Sequence, residues 1–271
     1  MNFKRIVSGV IGLPIVIAVF ILGNLSIHIM DIAMAILAII ATYEYTNCFK
    51  ISGKAKPISW ICYVSCLLIA VIHFIPSEYL IYITSIFVPL VILALFLHVI
   101  VTNLKVSILD IAVTILGIAY IVLFFAFIPL IFGYQNGNIY IWYTLLAAWG
   151  TDIFAYAVGR RIGKHKFSKI SPNKSIEGCI AGTIGAIILT IIYTIILNTR
   201  LNFSINYFIV SIMALILSLI GQVGDFAASS IKRYNGVKDF SNLIPGHGGI
   251  LDRFDSLIFI APFAYFLLML L

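Results

Sequence analysis

Nine runs of mostly apolar residues, each about twenty long and each ended by a polar break, dominate this sequence: 6–23, 25–42, 58–75, 79–100, 108–133, 139–159, 179–197, 205–223 and 255–271. About 30 Å of hydrocarbon takes about twenty helical residues at 1.5 Å each, so every run is the right length for a membrane-spanning helix. In lipid the backbone must satisfy its own hydrogen bonds, and a run of this length does so as a helix. Composition points the same way. Seventeen Lys and Arg with ten Asp and Glu cannot coat a water-soluble body of 271 residues that is 62% hydrophobic, because soluble domains are roughly one-quarter charged. The same numbers exclude disordered and collagen-like chains, and four cysteines exclude a disulfide scaffold. The expected fold is all-α: a polytopic integral membrane protein of about nine transmembrane helices. It forms a single membrane domain, 1–271, with 1–135 as N-terminal helical scaffold and 136–271 as catalytic half. The fifth run is long enough to tilt or break near Pro129, and the helix of the last should begin within the charged segment before it. No strong internal repeat or low-complexity segment is visible.

The basic residues set the orientation. With the N-terminus cytoplasmic and nine helices alternating, sixteen of the seventeen Lys and Arg fall on inner segments and Arg200 alone on an outer one, the pattern that cytoplasmic loops carry. The net charge of +7 is therefore a topology signal and implies no nucleic-acid partner. Lys4 and Arg5 before an apolar run resemble a secretory signal, but the run lacks a small-x-small cleavage site and reads as a retained first span. Cys62 and Cys66 lie one helical turn apart, with no His or Cys nearby at zinc spacing. Together with Cys48 and Cys179 they read as small buried apolar residues.

Polar chemistry concentrates in two cytoplasmic segments, 160–178 and 224–256, which hold ten of the seventeen bases. The second also carries Asp225, Asp239, Asp252 and Asp255. Asp252 and Asp255 share a helix face at a spacing of three. As a carboxylate pair they suit magnesium, which takes oxygen ligands and leaves positions for phosphates. As partners of Arg253 and the nearby lysines they would be structural ion pairs. Pro245-Gly246-His247-Gly248-Gly249 is a tight turn by itself. Ahead of a helix bearing such carboxylates, amid Ser230, Lys232, Arg233 and Lys238, it also suits a polyphosphate. In the first segment Ser171-Pro172 reads as a helix start, placing Lys174 and Ser175 in the opening turn. The alternative is a polybasic patch against anionic lipid heads. Asp152 is expected buried or nearly so, as a metal ligand, a partner of Arg160 or a packing group. Asp31 and Asp110 read as helix-to-helix hydrogen-bonding groups. His165 and His247 lack a Cys or His partner and read as hydrogen-bonding neighbours.

Ser230-x-Lys232-Arg233-x4-Lys238-Asp239-x5-Pro245-x-His247-Gly248-Gly249-x2-Asp252-Arg253-x-Asp255 resembles the signature of bacterial phosphatidate cytidylyltransferases, the CDP-diacylglycerol synthases. Asp152 through Gly159, Gly163-Lys164-His165-Lys166 and Ile170-Ser171-Pro172-x-Lys174-Ser175-x-Glu177-Gly178 are similar to that family's other shared stretch. Ser175 stands where threonine is more usual, and Phe154 where a small residue is. The likeness is specific over about 148–260. It implies CTP and phosphatidate as substrates, CDP-diacylglycerol and diphosphate as products, and a role in phospholipid biosynthesis. It further implies dependence on magnesium, with a potassium ion as a second metal, and a homodimer in the bacterial cell membrane with its site facing the cytoplasm. Carried over residue by residue, Asp225 and Asp252 become metal ligands with Asp255 in the same site. Lys232, Arg233, Lys238 and Arg253 become phosphate-binding, and Asp239 and His247 members of the catalytic set. Lys164, Ser171, Pro172, Lys174, Ser175, Glu177, Ser230, Gly246, Gly248 and Gly249 become substrate-binding. Asp152 and Asp239 fit equally as further ligands.

The residue types agree with that reaction. A phosphomonoester has a second pKa of about 6, so phosphatidate is already mostly dianionic at neutral pH and needs no strong base. The enzyme must bring two anions together and stabilise departing diphosphate, which asks for metal and cations. An apolar groove between spans would admit the lipid tails. A secondary transporter would show paired repeats and broken helices. A CDP-alcohol phosphotransferase would carry DG-x2-AR-x8-G-x3-D-x3-D. Neither pattern is present.

Overall fold

The described helices follow the apolar runs. A computed structural model describes residues 14, 16–168, 170–172, 174–246 and 248–271. The first expected span, with Lys4 and Arg5, lies largely outside them, as do Lys169 and His247. Within them the regular secondary structure is helical, with two isolated bridges in the loops. The helices are α1 (Ile27–Ser52), α2 (Ser59–Val71), α3 (Ser77–Val101), α4 (Ile108–Gly117), α5 (Phe124–Gly133), α6 (Gly137–Ile162), α7 (Ile176–Arg200), α8 (Tyr207–Tyr234) and α9 (Leu251–Leu268). Among the described residues, five stretches are long and apolar enough to cross a membrane: Ile27–Ser52, Glu78–Val101, Ile108–Gly133, Ile176–Arg200 and Tyr207–Tyr234. The chain forms two compact units, Met1–Gly133 with Asn235–Arg253, and Tyr134–Tyr234 with Phe254–Leu271. Segment 235–253 thus groups with the N-terminal half.

In the first unit, buried hydrogen bonds tie helices whose outer faces are bare apolar surface. Tyr45 of α1 donates its hydroxyl to the Val113 carbonyl of α4 at 3.0 Å. A Cβ at Gly117 would lie 2.7 Å from the Tyr45 ring, so a glycine there lets the ring close on the backbone. Asp31, fully buried, meets His73 at 2.7 Å and His28 at 3.4 Å. Asp31 thereby takes the tying role expected of it. Asp110 instead caps its own helix: it exchanges hydrogen bonds with Ser107 and accepts the Lys56 N–H at 2.5 Å. The break in the fifth span falls at a π-helical segment, Ile118–Leu123, and the helix resumes before Pro129. A widened turn of this kind bends a helix without proline. Cys48, Cys62 and Cys66 are buried, and Cys66 donates to the Cys62 carbonyl at 3.3 Å.

The second unit is built on close backbone approach. A side chain at Gly182 of α7 would lie 2.6 Å from the Thr151 carbonyl of α6, and one at Gly178 would lie 2.9 Å from that of Ala155. Small residues at this spacing let apolar helices pack without a hydrophobic driving force. One turn further, the Phe154 ring fills the space over Gly185, so the unusual Phe154 has a matching gap. A relay of hydroxyls crosses the three helices: Thr151 donates to Ser218 at 2.7 Å, Ser218 to Thr183 at 3.1 Å, and Thr183 to the Cys179 carbonyl at 3.3 Å. The Gln222 amide adds a bond to Thr183 at 3.0 Å. Satisfied polar groups of this sort fix helix register in lipid.

Candidate active site

Both polar segments are shorter than their sequence suggests, because helix takes up their ends. α8 runs to Tyr234 and α9 begins at Leu251, so Asp225, Ser230, Lys232 and Arg233 are helical, and Asp252, Arg253 and Asp255 lie in the first turns of α9. Likewise α6 runs to Ile162, with Arg160 and Arg161 in its last turn, where cations complement the helix dipole. The helix expected to open at Ser171-Pro172 opens at Ile176 instead. Ser175 is its cap, accepting the Gly178 N–H at 3.2 Å. Ser171 closes a turn with the Lys174 N–H at 3.1 Å. The local reason is room: Gly159, Gly163 and Gly178 all face the Ser175 hydroxyl, and no β-carbon would fit at Gly163. The Phe167 N–H donates to the Lys174 carbonyl at 3.1 Å and the Ile176 N–H to that of His165 at 2.9 Å, folding 163–175 back over the start of α7. Glu177 fastens the fold by meeting His165 Nδ1 at 2.6 Å.

Within the second unit this folded segment brings Lys174 to Asp225. The ammonium pairs with Asp225 Oδ2 and sits 4.6 Å over the Phe226 ring, while Phe167 stacks on the same ring at 4.7 Å. Ser229, one turn on, donates to Asp225 Oδ1 at 3.4 Å. Asp255 approaches from α9 because Gly224 of α8 has no side chain. A Cβ there would lie 2.5 Å from Cβ of Phe259 and 2.9 Å from the Asp255 carbonyl. Asp255 is buried, and the charges of Asp225, Lys232 and Asp152 all act on it. Lys232 is itself buried. Asp152 is exposed rather than buried, one residue beyond the buried Thr151. Three carboxylates and two ammonium groups therefore gather where α8 and α9 approach. Lys164, Ser230 and Arg233 lie exposed around this unit.

In the first unit the glycine run forms a turn. The Ile244 N–H donates to the Gly248 carbonyl at 2.8 Å, and Gly246 and Gly248 have φ of 81° and 80°, a left-handed conformation that favours glycine. The buried Asp252 carboxylate holds this turn: its Oδ2 accepts the Phe240 N–H at 2.8 Å and the Gly249 N–H at 2.9 Å. Ile250 and Leu251 donate their N–H groups to Glu44 at 2.9 and 2.8 Å. The opening N–H groups of α9, expected to face phosphate, are thus directed at protein carboxylates. Lys238, Asp239 and Arg253 are exposed in this unit, with Cβ of Asp239 beside Gly248. Glu44 is the site residue that sequence reasoning passed over, and its one signal is an acid inside an otherwise apolar helix.

Magnesium is the metal that the family likeness implies. The donor set fits it, since hard carboxylate oxygens gather at Asp225 and Asp255, and Lys174 already seats a cation against Asp225. Among the described residues no three His, Cys, Asp or Glu side chains close on one point. Magnesium needs no such cage, because it is held by one or two carboxylates, water and substrate phosphate.

The sequence profile described as the cytidylyltransferase family matches residues 3–271. The chain belongs to this family. Among curated relatives, the phosphatidate cytidylyltransferase of Bacillus subtilis (strain 168) is 41% identical over 137 residues, 50% of this chain and 49% of that protein. The phosphatidate cytidylyltransferases of Staphylococcus haemolyticus (strain JCSC1435) and Staphylococcus aureus (strain COL) are 41% and 42% identical over 135 residues, 49% of this chain and 50% of each relative. The chain thus spans about half the length of the curated relatives it matches. This family membership agrees with the likeness drawn from 148–260, and its profile extends over the helical first half as well.

Proposed function

We propose that this chain is a phosphatidate cytidylyltransferase, joining CTP and phosphatidate into CDP-diacylglycerol with release of diphosphate. The observation that carries the reading is the gathering of Asp225, Asp255, Lys174 and Lys232 where α8 and α9 approach. A phosphate oxygen of phosphatidate attacks the α-phosphorus of CTP; that O–P bond forms as the bond to the β-phosphate oxygen breaks, and diphosphate leaves with the electron pair. Magnesium, when bound, supplies neutralisation of the triphosphate and of the departing diphosphate. In this reading one or two of Asp225, Asp252 and Asp255 would hold the metal, and potassium is a second-metal candidate beside it. Lys232, Arg233, Lys238 and Arg253 bind phosphate oxygens. Lys174 exchanges its ion pair with Asp225 for a substrate phosphate. The exposed apolar faces of the helices meet lipid, and acyl chains enter sideways between them. The whole is a homodimer in the cell membrane, multi-pass, with its N-terminus and site on the cytoplasmic side.

The test is conversion of phosphatidate by purified protein in detergent, with magnesium or EDTA, beside Asp252→Ala. The reading expects CDP-diacylglycerol with magnesium, and its loss both in EDTA and in the variant. Full turnover in EDTA would contradict the metal, and full turnover by Asp252→Ala would contradict that ligand.

A further inference from the structure

Glu44 lies in the second half of α1, is 1% exposed, and has no part in the reaction proposed above. Its Oε1 accepts the Ser241 hydroxyl at 2.6 Å and the Ile250 N–H at 2.9 Å, and its Oε2 accepts the Leu251 N–H at 2.8 Å. Its carboxyl also fills the space beside Gly249, where no β-carbon would fit. Eight residues along α1, Ser52 donates to the Asn235 side-chain carbonyl at 2.6 Å. α1 thus grips segment 235–251 at its start, its middle and its end.

A buried carboxylate is costly unless donors surround it, and here a helix N-terminus supplies them. An apolar contact would hold a helix in place as well. A carboxylate does something further, because it accepts at both oxygens and donates at neither. Around the start of α9 the donors are divided between two acids: Ile250 and Leu251 go to Glu44, while Phe240 and Gly249 go to Asp252. Without Glu44, the N–H groups of residues 250 and 251 and the Ser241 hydroxyl lose their acceptor, and the turn closed by Asp252 loses its hold on α1. Asp252, bound to the Phe240 and Gly249 N–H groups of that turn, then shifts with it and away from a ligand.

We propose that Glu44 is a positioning residue: by taking two helix-terminal N–H groups and Ser241, it keeps the Asp252 carboxylate presented to metal and substrate. This rests on the proposed cytidylyltransferase reaction. Glu44→Gln is the sharpest probe, since it keeps the shape but turns an NH2 group toward a donor. The expected result is a rise of about tenfold or more in the magnesium concentration for half-maximal rate, the size typical of losing a group that orients a metal ligand. Thermal unfolding should stay cooperative, and amide exchange should quicken over 248–252 with little change elsewhere. Glu44→Gln with wild-type exchange and wild-type magnesium dependence would overturn the proposal. So would faster exchange with unchanged magnesium dependence, which would make Glu44 a staple alone. If Glu44→Gln does not fold, Ser241→Ala carries the test. Loss of that one hydrogen bond should raise the same half-saturation about two- to fivefold, and wild-type behaviour would overturn the proposal. If the wild-type protein makes no CDP-diacylglycerol, the reaction assignment fails, and exchange alone then judges Glu44. Unchanged protection at 248–252 in Glu44→Gln would overturn its hold on the turn, and a loss of protection confined there would uphold it.

Discussion

At Gly248 the backbone takes a φ of 80°, and a Cβ there would lie 2.8 Å from Oδ2 of Asp252. Gly236 has a φ of 72° with nothing within 4 Å. The two glycines therefore separate backbone strain from site geometry. Gly236→Ala should cost about 1–2 kcal/mol of stability, the left-handed penalty of an L-residue, and leave turnover unchanged. Gly248→Ala should cost at least as much and also lower kcat/KM by about tenfold or more, because it displaces a carboxylate. Thermal unfolding and initial rates of the two variants measure both. The residue types at this turn were legible from the run Pro245–Gly249, yet their roles were not. Gly249 and the start of α9 looked ready for phosphate, whereas their N–H groups go to Asp252 and Glu44. That tie joins residues 207 positions apart, and no local pattern reveals it. Lys174 and Asp225 were both named from sequence, but only folding of 163–175 over α7 makes them a pair.

The helices themselves were the most legible level, because the thickness of lipid is written into run length. What sequence missed lies at their ends and contacts. Ser171-Pro172 has the chemistry of a helix start, but the glycines around Ser175 decide that the helix begins there. Pro129 drew attention as the breaker of the fifth span, and the π-helical turn at Ile118–Leu123 precedes it. Packing of α6 on α7 gives a prediction at this scale. Gly185 and Phe154 fill one space between them, so Gly185→Ala should destabilise the protein by about 1–3 kcal/mol through overpacking. Adding Phe154→Ala should recover part of that loss, so the pair falls short of additivity. Denaturation of the two single variants and the double in detergent measures the coupling, and strict additivity would contradict the packing.

For the whole molecule, the nine-span topology expected from sequence would put sixteen of seventeen basic residues on one side, and that orientation can be tested directly. Cysteines placed at Lys238 and at Asn202, beside Arg200, test it in intact cells. Cys48, Cys62 and Cys66 are buried and give little background. A membrane-impermeant maleimide should label position 202 from outside and reach 238 only after the membrane is opened; the reverse pattern would invert the topology. The proposed reaction, in turn, makes a claim about where each phosphorus of CTP goes. CTP labelled at the α-phosphorus and, separately, at the γ-phosphorus should be given to the purified protein with phosphatidate and magnesium. Cytidylyl transfer predicts that α-label enters the lipid fraction in step with CDP-diacylglycerol while γ-label appears wholly as diphosphate. Label from the γ-position in lipid, or no α-label in lipid from folded protein, would contradict the account.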